Sequence, residues 1–238
     1  MFFTNWRGLE GQARRDLCEV GRRMYQNGYV AANDGNMSVK CGSDTVLITP
    51  AGVSKGFMKP RMMVKVDLEG RVLSGGYKPS SEIKLHLAVY RENAGVTSVV
   101  HAHPPVATSF AIAGIPLDRP LVTEAMILLG VVPVAPYATP GTQDLPESIL
   151  PFCRKYNAVL LANHGVLTWG RDLFEAYHRL ETLEHCALMS MYSEQILNKA
   201  NSLTRAQVRA LIDIRRNLGI EGGGDVTDSK FNSGAAGT

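Results

Sequence analysis

A strand–turn–strand segment at residues 157–170, NAVLLANHGVLTWG, constrains the fold more than any other stretch of this sequence. Two apolar runs flank a polar turn at residues 163–165, a pattern typical of paired strands. A second segment, MVKVDLEGRVL at 63–73, alternates apolar and polar residues on both sides of a turn at 69–70 and predicts a hairpin. These pairs favour a sheet whose neighbouring strands are mainly antiparallel.

Helical segments lie between the strands. Apolar residues recur at helical intervals from Ala13 to Met24, and Gly28 follows where a helix C-cap would fall. Residues 80–92 predict a helix with Ser80 or Ser81 as its N-cap, and further helices are expected at 172–197 and 204–219. Short strands are expected at 45–49 and 97–103. We therefore predict an α/β fold with a central, mainly antiparallel β-sheet covered by helices.

The predicted domain is single and extends over residues 1–220, because no repeat and no convincing linker interrupts it. Residues 221–238 are rich in glycine and small polar residues, so a flexible C-terminal tail is expected there. Hydrophobic residues make up 45% of the chain and charged residues 20%, which is enough for an ordinary buried core.

Charge and hydropathy exclude several classes of partner. The net charge is only +3 and Lys and Arg never form a run of five, so no nucleic-acid or membrane-surface patch is predicted. The apolar stretch at 120–136 carries Glu124 and Pro133 and is a poor membrane span. The N-terminus lacks a secretory apolar region, and the four cysteines form no recognisable framework, so a cytoplasmic setting is expected.

Two histidines, His101 and His103, follow a β-branched run in the segment SVVHAHPP. Because residues i and i+2 of a strand share a face, both imidazoles would project together and supply half of a tetrahedral metal site. A pair of hydrogen-bonded or solvent-facing histidines remains the alternative. His86, His164, His178 and His185 are the candidates for a third ligand. His164 is favoured, because it lies at a polar corner between apolar strands, where Gly165 would let the backbone adopt an unusual conformation.

A carboxylate and three small-residue corners accompany these histidines. Glu82, in the first turn of the predicted helix, is the candidate for proton transfer, although it could instead be an ordinary helix-start acid paired with His86. Three corners could hold an anion, although each alone could be an ordinary turn or helix cap. They offer Gly35 and Asn36 in DGNMS, Thr49, Gly52, Ser54 and Lys55 in ITPAGVSKG, and Ser80 and Ser81 at the start of the predicted helix. No segment matches a Walker A or dinucleotide-binding motif, so nucleotide binding is not supported.

In order along residues 10–215, the motifs GNMS, TPAG, PSSE, VVHAHPP, APYATPGT and NHG resemble the class II aldolase/adducin family. The closest branch is the bacterial L-fuculose-1-phosphate aldolases. The resemblance implies a central sheet sandwiched between helix layers. It also implies a cyclic homotetramer with active sites at subunit interfaces.

Site roles follow from the same resemblance. His101, His103 and His164 would bind Zn²⁺, for which Mn²⁺, Co²⁺ or Fe²⁺ could substitute. Glu82 would be both a resting-state metal ligand and the acid/base. The substrate phosphate would lie against a set of four residues: Asn36, Gly52, Ser80 and Ser81.

The activity implied is reversible cleavage of a ketose 1-phosphate, such as fuculose 1-phosphate or a related pentulose 1-phosphate. The products are dihydroxyacetone phosphate and a short aldehyde, formed through a metal-stabilised enediolate. Glu82 favours this reaction, because the related 4-epimerases usually carry Asp there. A sugar-phosphate decarboxylase, dehydratase or 4-epimerase of the same fold is the first alternative. A non-catalytic, adducin-like binding module is the second, and the presence of all three histidines argues against it.

Three positions depart from the fuculose-phosphate aldolase pattern. Ala51 replaces a threonine whose hydroxyl contacts phosphate, so the phosphate contacts would differ here. The tyrosine that donates a proton on the aldehyde side has no counterpart in LVTEAMILLG, where Glu124 is the substitute we predict. The tail carries Phe231 and no tyrosine. These positions shape aldehyde specificity, so the sugar itself is not predicted.

Overall fold

The computed structural model describes residues 6–224. Eight strands form one sheet in this part of the chain: β1 (Asn36–Lys40), β2 (Thr45–Ile48), β3 (Val64–Asp67), β4 (Val72–Ser74), β5 (Ser98–Ala102), β6 (Val134–Ala135), β7 (Ala158–Leu161) and β8 (Gly165–Gly170). The α-helices of the described residues are α1 (Trp6–Gln26), α2 (Ile83–Glu92), α3 (Pro105–Ala113), α4 (Thr123–Leu128), α5 (Asp144–Ile149), α6 (Leu173–Met191) and α7 (Arg205–Asn217).

The strand order across the sheet is β4-β3-β2-β1-β5-β8-β7-β6. All neighbouring strands are antiparallel except the pair β6 and β7, which is parallel. The predicted hairpins are present as β3–β4 and β7–β8. The prediction of a mainly antiparallel α/β sheet is confirmed.

Helices cover both faces of this sheet, because the buried strands are apolar on both sides. Val100 and Ala102 of β5 pack into the cluster that contains Leu17 of α1 and Leu180 of α6. Val99, one position earlier on β5, faces a second cluster with residues of α2 and α5. Since side chains alternate along a strand, His101 projects to the same face as Val99, which is the face that α2 covers.

Several boundaries differ from the sequence prediction. Strand β5 ends at Ala102, so His103 lies just beyond it. Helix α2 begins at Ile83, which places Glu82 before the helix rather than in its first turn. The Ser80 hydroxyl accepts a hydrogen bond from the Glu82 N–H (3.3 Å), and this closes a turn ahead of the helix. The long helix predicted to residue 197 ends at Met191 and continues as one π-helical turn, Tyr192–Ile196.

The segment predicted as a tail falls mostly outside the described residues. Its first four residues are described, and their backbone is hydrogen-bonded to the domain: the Val131 N–H donates to the Gly223 carbonyl (2.9 Å) and the Gly224 N–H donates to the Lys155 carbonyl (2.8 Å). Phe231 lies outside the described residues. In the described part of the chain, no helix has the length and apolarity needed to cross a membrane.

Candidate metal centre

Three imidazoles converge at one end of the central strands. His101 is the last residue but one of β5, His103 lies just beyond the strand, and His164 lies in the turn between β7 and β8. One ring nitrogen from each lies within 4.8 Å of the other two. His101 Nε2 and His103 Nε2 are 3.0 Å apart. The structure therefore brings together the three histidines that the sequence selected.

A hydrogen bond at the far side of the ring fixes which nitrogen of His101 carries the proton. His101 Nδ1 donates to the Val166 carbonyl (2.9 Å), which leaves a lone pair on Nε2. His103 Nδ1 lies 3.6 Å from the Asp34 carboxylate, a contact that favours a proton on the same nitrogen of that ring. The Nε2 atoms of both rings face the centre of the cluster, 3.0 Å apart. This donor set fits a divalent metal ion.

Glu82 completes the cluster. Its carboxylate oxygens lie 3.3 Å from His101 Nε2 and 3.2 Å from His164 Nε2. Its side chain is only 10% exposed, because the turn before α2 points it inward across the end of the sheet. Three imidazole nitrogens and one carboxylate are the ligand types that Zn²⁺ and similar ions accept.

Burial and neighbouring groups set the ionisation of this cluster. Burial lowers the pKa of His101 to about 3, against the opposing effect of the Glu82 carboxylate, so the ring is neutral and able to bind a metal. Burial by itself raises the pKa of Glu82, but His101 and the donors on His164 and Asn36 outweigh it and hold that pKa well below its usual range. Glu82 is therefore ionised at neutral pH.

Gly165 has a role that differs from the one expected. Its backbone has no positive φ; the left-handed residue in this turn is Asn163, at φ 55°. A Cβ at Gly165 would lie 2.5 Å from His103 Cδ2 and 2.6 Å from the Ala102 carbonyl oxygen. Glycine is therefore required here for close approach of β8 to His103, and not for backbone freedom.

Replacing Gly165 with alanine should therefore damage the metal site. The added methyl group must displace His103 or the end of β5, so we expect at least a tenfold loss of metal affinity and destabilisation by about 1–3 kcal/mol. Isothermal titration with Zn²⁺ and thermal unfolding measure the two effects. Gly76→Ala is the matched control, because a Cβ there meets nothing within 4 Å. Equal metal affinity in the two variants would contradict this role.

Asn36 lies beside Glu82 rather than free in a phosphate corner. Its Nδ2 donates to Glu82 Oε2 (2.6 Å), and its Oδ1 lies 2.6 Å from His86 Nε2. His86 is fully buried behind Asn36 and outside the metal cluster. The sequence analysis missed the Asn36–Glu82 contact, because it depends on α2 packing across the start of β1. Contact between Asn36 and a phosphate stays a prediction.

The other predicted phosphate contacts lie on two adjoining segments. Pro50 and Pro79 form a β-bridge, and the Ser80 N–H donates to the Thr49 carbonyl (3.1 Å). Gly52 and Ser80 therefore lie on neighbouring segments, and Ser80 contacts the backbone of Glu82. Gly52 has φ 69°, Ser80 is buried, and Ser81 is exposed.

Lys55 belongs to the same sequence corner as Gly52, ITPAGVSKG, but its ammonium group is bonded inside the protein. Its side chain is buried, and Nζ donates to the carbonyls of Asn33 (2.8 Å) and Val53 (2.7 Å). Burial lowers its pKa to about 8, opposed by the charges of Asp34 and Glu82. Lys55 therefore holds together the loop that carries Asp34.

The remaining candidates lie away from the cluster in this chain. His178 and His185 are exposed on α6. Glu124 is exposed on α4, where its charge acts on Cys186. Its role on the aldehyde side stays a prediction. All four cysteines are free.

Comparison with known proteins places these observations in a family context. The family model described as Class II Aldolase and Adducin N-terminal domain matches residues 15–191. A 3-oxo-tetronate 4-phosphate decarboxylase of Pectobacterium atrosepticum is 34% identical over 182 residues, which cover 75% of this chain and 83% of that protein. An L-fuculose phosphate aldolase of Methanocaldococcus jannaschii is 32% identical over 178 residues, covering 75% and 95%. A solved L-fuculose 1-phosphate aldolase matches with TM-score 0.78 and 28% identity, covering 86% of this chain and 96% of that one.

Proposed function

The chain belongs to the class II aldolase and adducin family, and from that premise we propose that it is a metal-dependent carbon–carbon lyase acting on a phosphorylated keto sugar. The observation that carries this proposal is the position of Glu82. Its carboxylate contacts two of the three convergent histidines, and it also accepts a hydrogen bond from the Asn36 amide. A structural module would have no use for a buried carboxylate in contact with convergent imidazoles.

The residues divide into a metal-binding set and a substrate-binding set. His101, His103 and His164 would hold the cation, which when bound supplies Lewis acidity that stabilises the enediolate charge of the substrate. Zinc is the ion we propose, although the donor set also accepts Mn²⁺, Co²⁺ or Fe²⁺. Asn36, Gly52, Ser80 and Ser81 would bind the phosphate. Glu82 would carry the proton to and from the hydroxymethyl carbon of dihydroxyacetone phosphate.

Aldol cleavage is the reaction that we propose first. The bond between C3 and C4 of a ketose 1-phosphate breaks, its electron pair stays on C3, and the hydroxyl proton on C4 leaves as the aldehyde forms. Glu82 takes up a proton from solvent and delivers it to C3 to give dihydroxyacetone phosphate. A group that accepts the C4 hydroxyl proton is also required, and Glu124 from a neighbouring subunit of a homotetramer is our candidate.

Decarboxylation is the second candidate, because relatives such as the Pectobacterium protein carry that name. Loss of CO₂ from a 3-oxo-tetronate 4-phosphate leaves its electron pair on the adjacent carbon, and protonation there also gives dihydroxyacetone phosphate. No base for a leaving hydroxyl is needed. The two reactions therefore share one enediolate and one proton transfer, and they differ only in the group that leaves.

Dihydroxyacetone phosphate alone can test the shared step. In D₂O, we expect the protein to exchange one proton of the hydroxymethyl carbon, detected as loss of proton NMR intensity at that carbon. A chelator should abolish the exchange and added Zn²⁺ should restore it. No exchange by protein that contains one metal ion per subunit would contradict the proposal, and protein that binds no metal would favour the adducin-like alternative.

The leaving group is then identified with two substrates. L-Fuculose 1-phosphate should release lactaldehyde if the chain is an aldolase for that sugar, and related pentulose 1-phosphates should release shorter aldehydes. Release of CO₂ from 3-oxo-tetronate 4-phosphate instead would assign the decarboxylase reaction. An epimer or a dehydrated product would assign the remaining alternatives.

A further inference from the structure

A chain of four hydrogen bonds leads from the core of the domain to Glu82. Tyr90 OH and Ser38 Oγ are 2.6 Å apart, and Ser38 Oγ lies 2.7 Å from His86 Nδ1. His86 Nε2 lies 2.6 Å from Asn36 Oδ1, and Asn36 Nδ2 is 2.6 Å from Glu82 Oε2. The four residues behind Glu82 are all at most 4% exposed, so water does not compete for these bonds.

The chemistry of the groups fixes one direction for the whole chain. Asn36 presents its Nδ2 to Glu82 Oε2 and its Oδ1 to His86 Nε2, so its amide donates to the carboxylate and accepts from the imidazole. His86 must therefore donate from Nε2, and as a neutral ring it accepts at Nδ1. Burial keeps it neutral by lowering its pKa to about 4. Ser38 donates to His86 and accepts from Tyr90, so every donor points toward the carboxylate.

Two simple periodicities build this chain of hydrogen bonds from Tyr90 to Glu82, which we call the relay. Asn36 and Ser38 are two residues apart on β1 and share the face covered by α2. His86 and Tyr90 are four residues apart on α2 and share one side of the helix. Packing that side of α2 on β1 interleaves the two pairs. Glu82, four residues before His86, lies at the end of the relay nearest the metal cluster.

We propose that His86, supported by Ser38 and Tyr90, is a positioning residue that fixes the amide of Asn36 and thereby the carboxylate of Glu82. Were the Asn36 amide reversed, its oxygen would face the Glu82 oxygen and its NH₂ group would face the His86 Nε2–H. The neutral Nε2–H tautomer of His86 excludes that arrangement. This inference rests on the proposed function, because it concerns the orientation of the proposed acid/base.

Removing the imidazole tests the inference. In His86→Phe we expect kcat to fall about 10- to 100-fold, the usual effect of losing a partner behind a metal-site residue. The KM and the metal content should change less than about threefold. His86→Gln, whose amide can donate to Asn36 and accept from Ser38, should recover most of the loss. Tyr90→Phe, at the far end of the relay, should cost less than about threefold.

Rates are measured as deuterium exchange into dihydroxyacetone phosphate, with Glu82→Gln run in parallel. Loss of exchange in Glu82→Gln together with wild-type exchange in folded, metal-loaded His86→Phe would overturn the relay and leave the proposed function standing. Wild-type exchange in Glu82→Gln would instead overturn the proposed function. A loss in Tyr90→Phe as large as in His86→Phe would indicate general damage to the core and contradict the relay.

A measurement on the wild-type protein without metal or substrate keeps the inference testable if His86→Phe does not fold. Long-range ¹H–¹⁵N NMR reports which imidazole nitrogen carries the proton. We expect a neutral His86 with a slowly exchanging proton on Nε2 and none on Nδ1. A proton on Nδ1, or a doubly protonated ring at pH 7, would overturn the proposed direction.

Discussion

Replacing Glu82 with glutamine should reduce kcat about 10²–10⁴-fold, the usual contribution of a general acid–base group. Glutamine has nearly the same size, and its amide oxygen can still accept the hydrogen bond from Asn36 that the structure places on Glu82 Oε2. It cannot carry a proton between substrate and solvent. Metal content should therefore remain near that of the wild type, because the three histidines are untouched. Deuterium exchange into dihydroxyacetone phosphate and elemental analysis measure the two quantities.

Glu69→Gln is the matched control for this change. Its carboxylate lies in the turn between β3 and β4, is 65% exposed, and pairs with Arg71 at 3.2 Å. The Glu69→Gln variant loses the same charge at a distance from the site, so its turnover should equal that of the wild type. Turnover of Glu82→Gln within about threefold of the wild type would show that Glu82 is not the acid/base.

Replacing His103 with alanine should remove bound metal and activity together. His103 supplies one of three imidazole nitrogens that lie within 4.8 Å of one another, and two imidazoles with one carboxylate leave the ion a weaker, more open site. We expect metal content far below one ion per subunit after dialysis. Its side chain is 27% exposed, so the fold itself should survive the truncation.

Thermal unfolding separates loss of metal from loss of structure. Metal present at 100 times its Kd stabilises a folded protein by about 2.7 kcal/mol, so Zn²⁺ should raise the Tm of the wild type and leave that of His103→Ala almost unchanged. His185→Ala, an exposed histidine on α6, should respond to Zn²⁺ as the wild type does. An equal metal-induced shift in His103→Ala would contradict the assignment of His103 as a ligand.

The sequence was sufficient to predict the components of this centre. The alternation of side chains along β5 predicted that His101 projects from one face, and the polar corner between two apolar runs selected His164. The resemblance of six ordered motifs to the class II aldolase/adducin family gave the fold and the pairing of Glu82 with the histidines. The family match and the observed sheet confirm the family and the fold.

Features that depend on tertiary contacts could not be predicted from local patterns. Helical periodicity did not reveal that Glu82 precedes α2, because the residue at which this helix begins depends on the turn that Ser80 closes. The steric role of Gly165 requires knowledge of the distance between β8 and His103. His86 looked like an alternative ligand or an ion-pair partner, and only the packing of α2 on β1 places it behind Asn36.

Anomalous diffraction at the zinc absorption edge, from crystals grown with Zn²⁺, tests the central claim most directly. The account predicts one strong peak per subunit, about 2.0–2.1 Å from Nε2 of His101, His103 and His164. No peak at this position, or three imidazoles that point away from any shared ion, would contradict it.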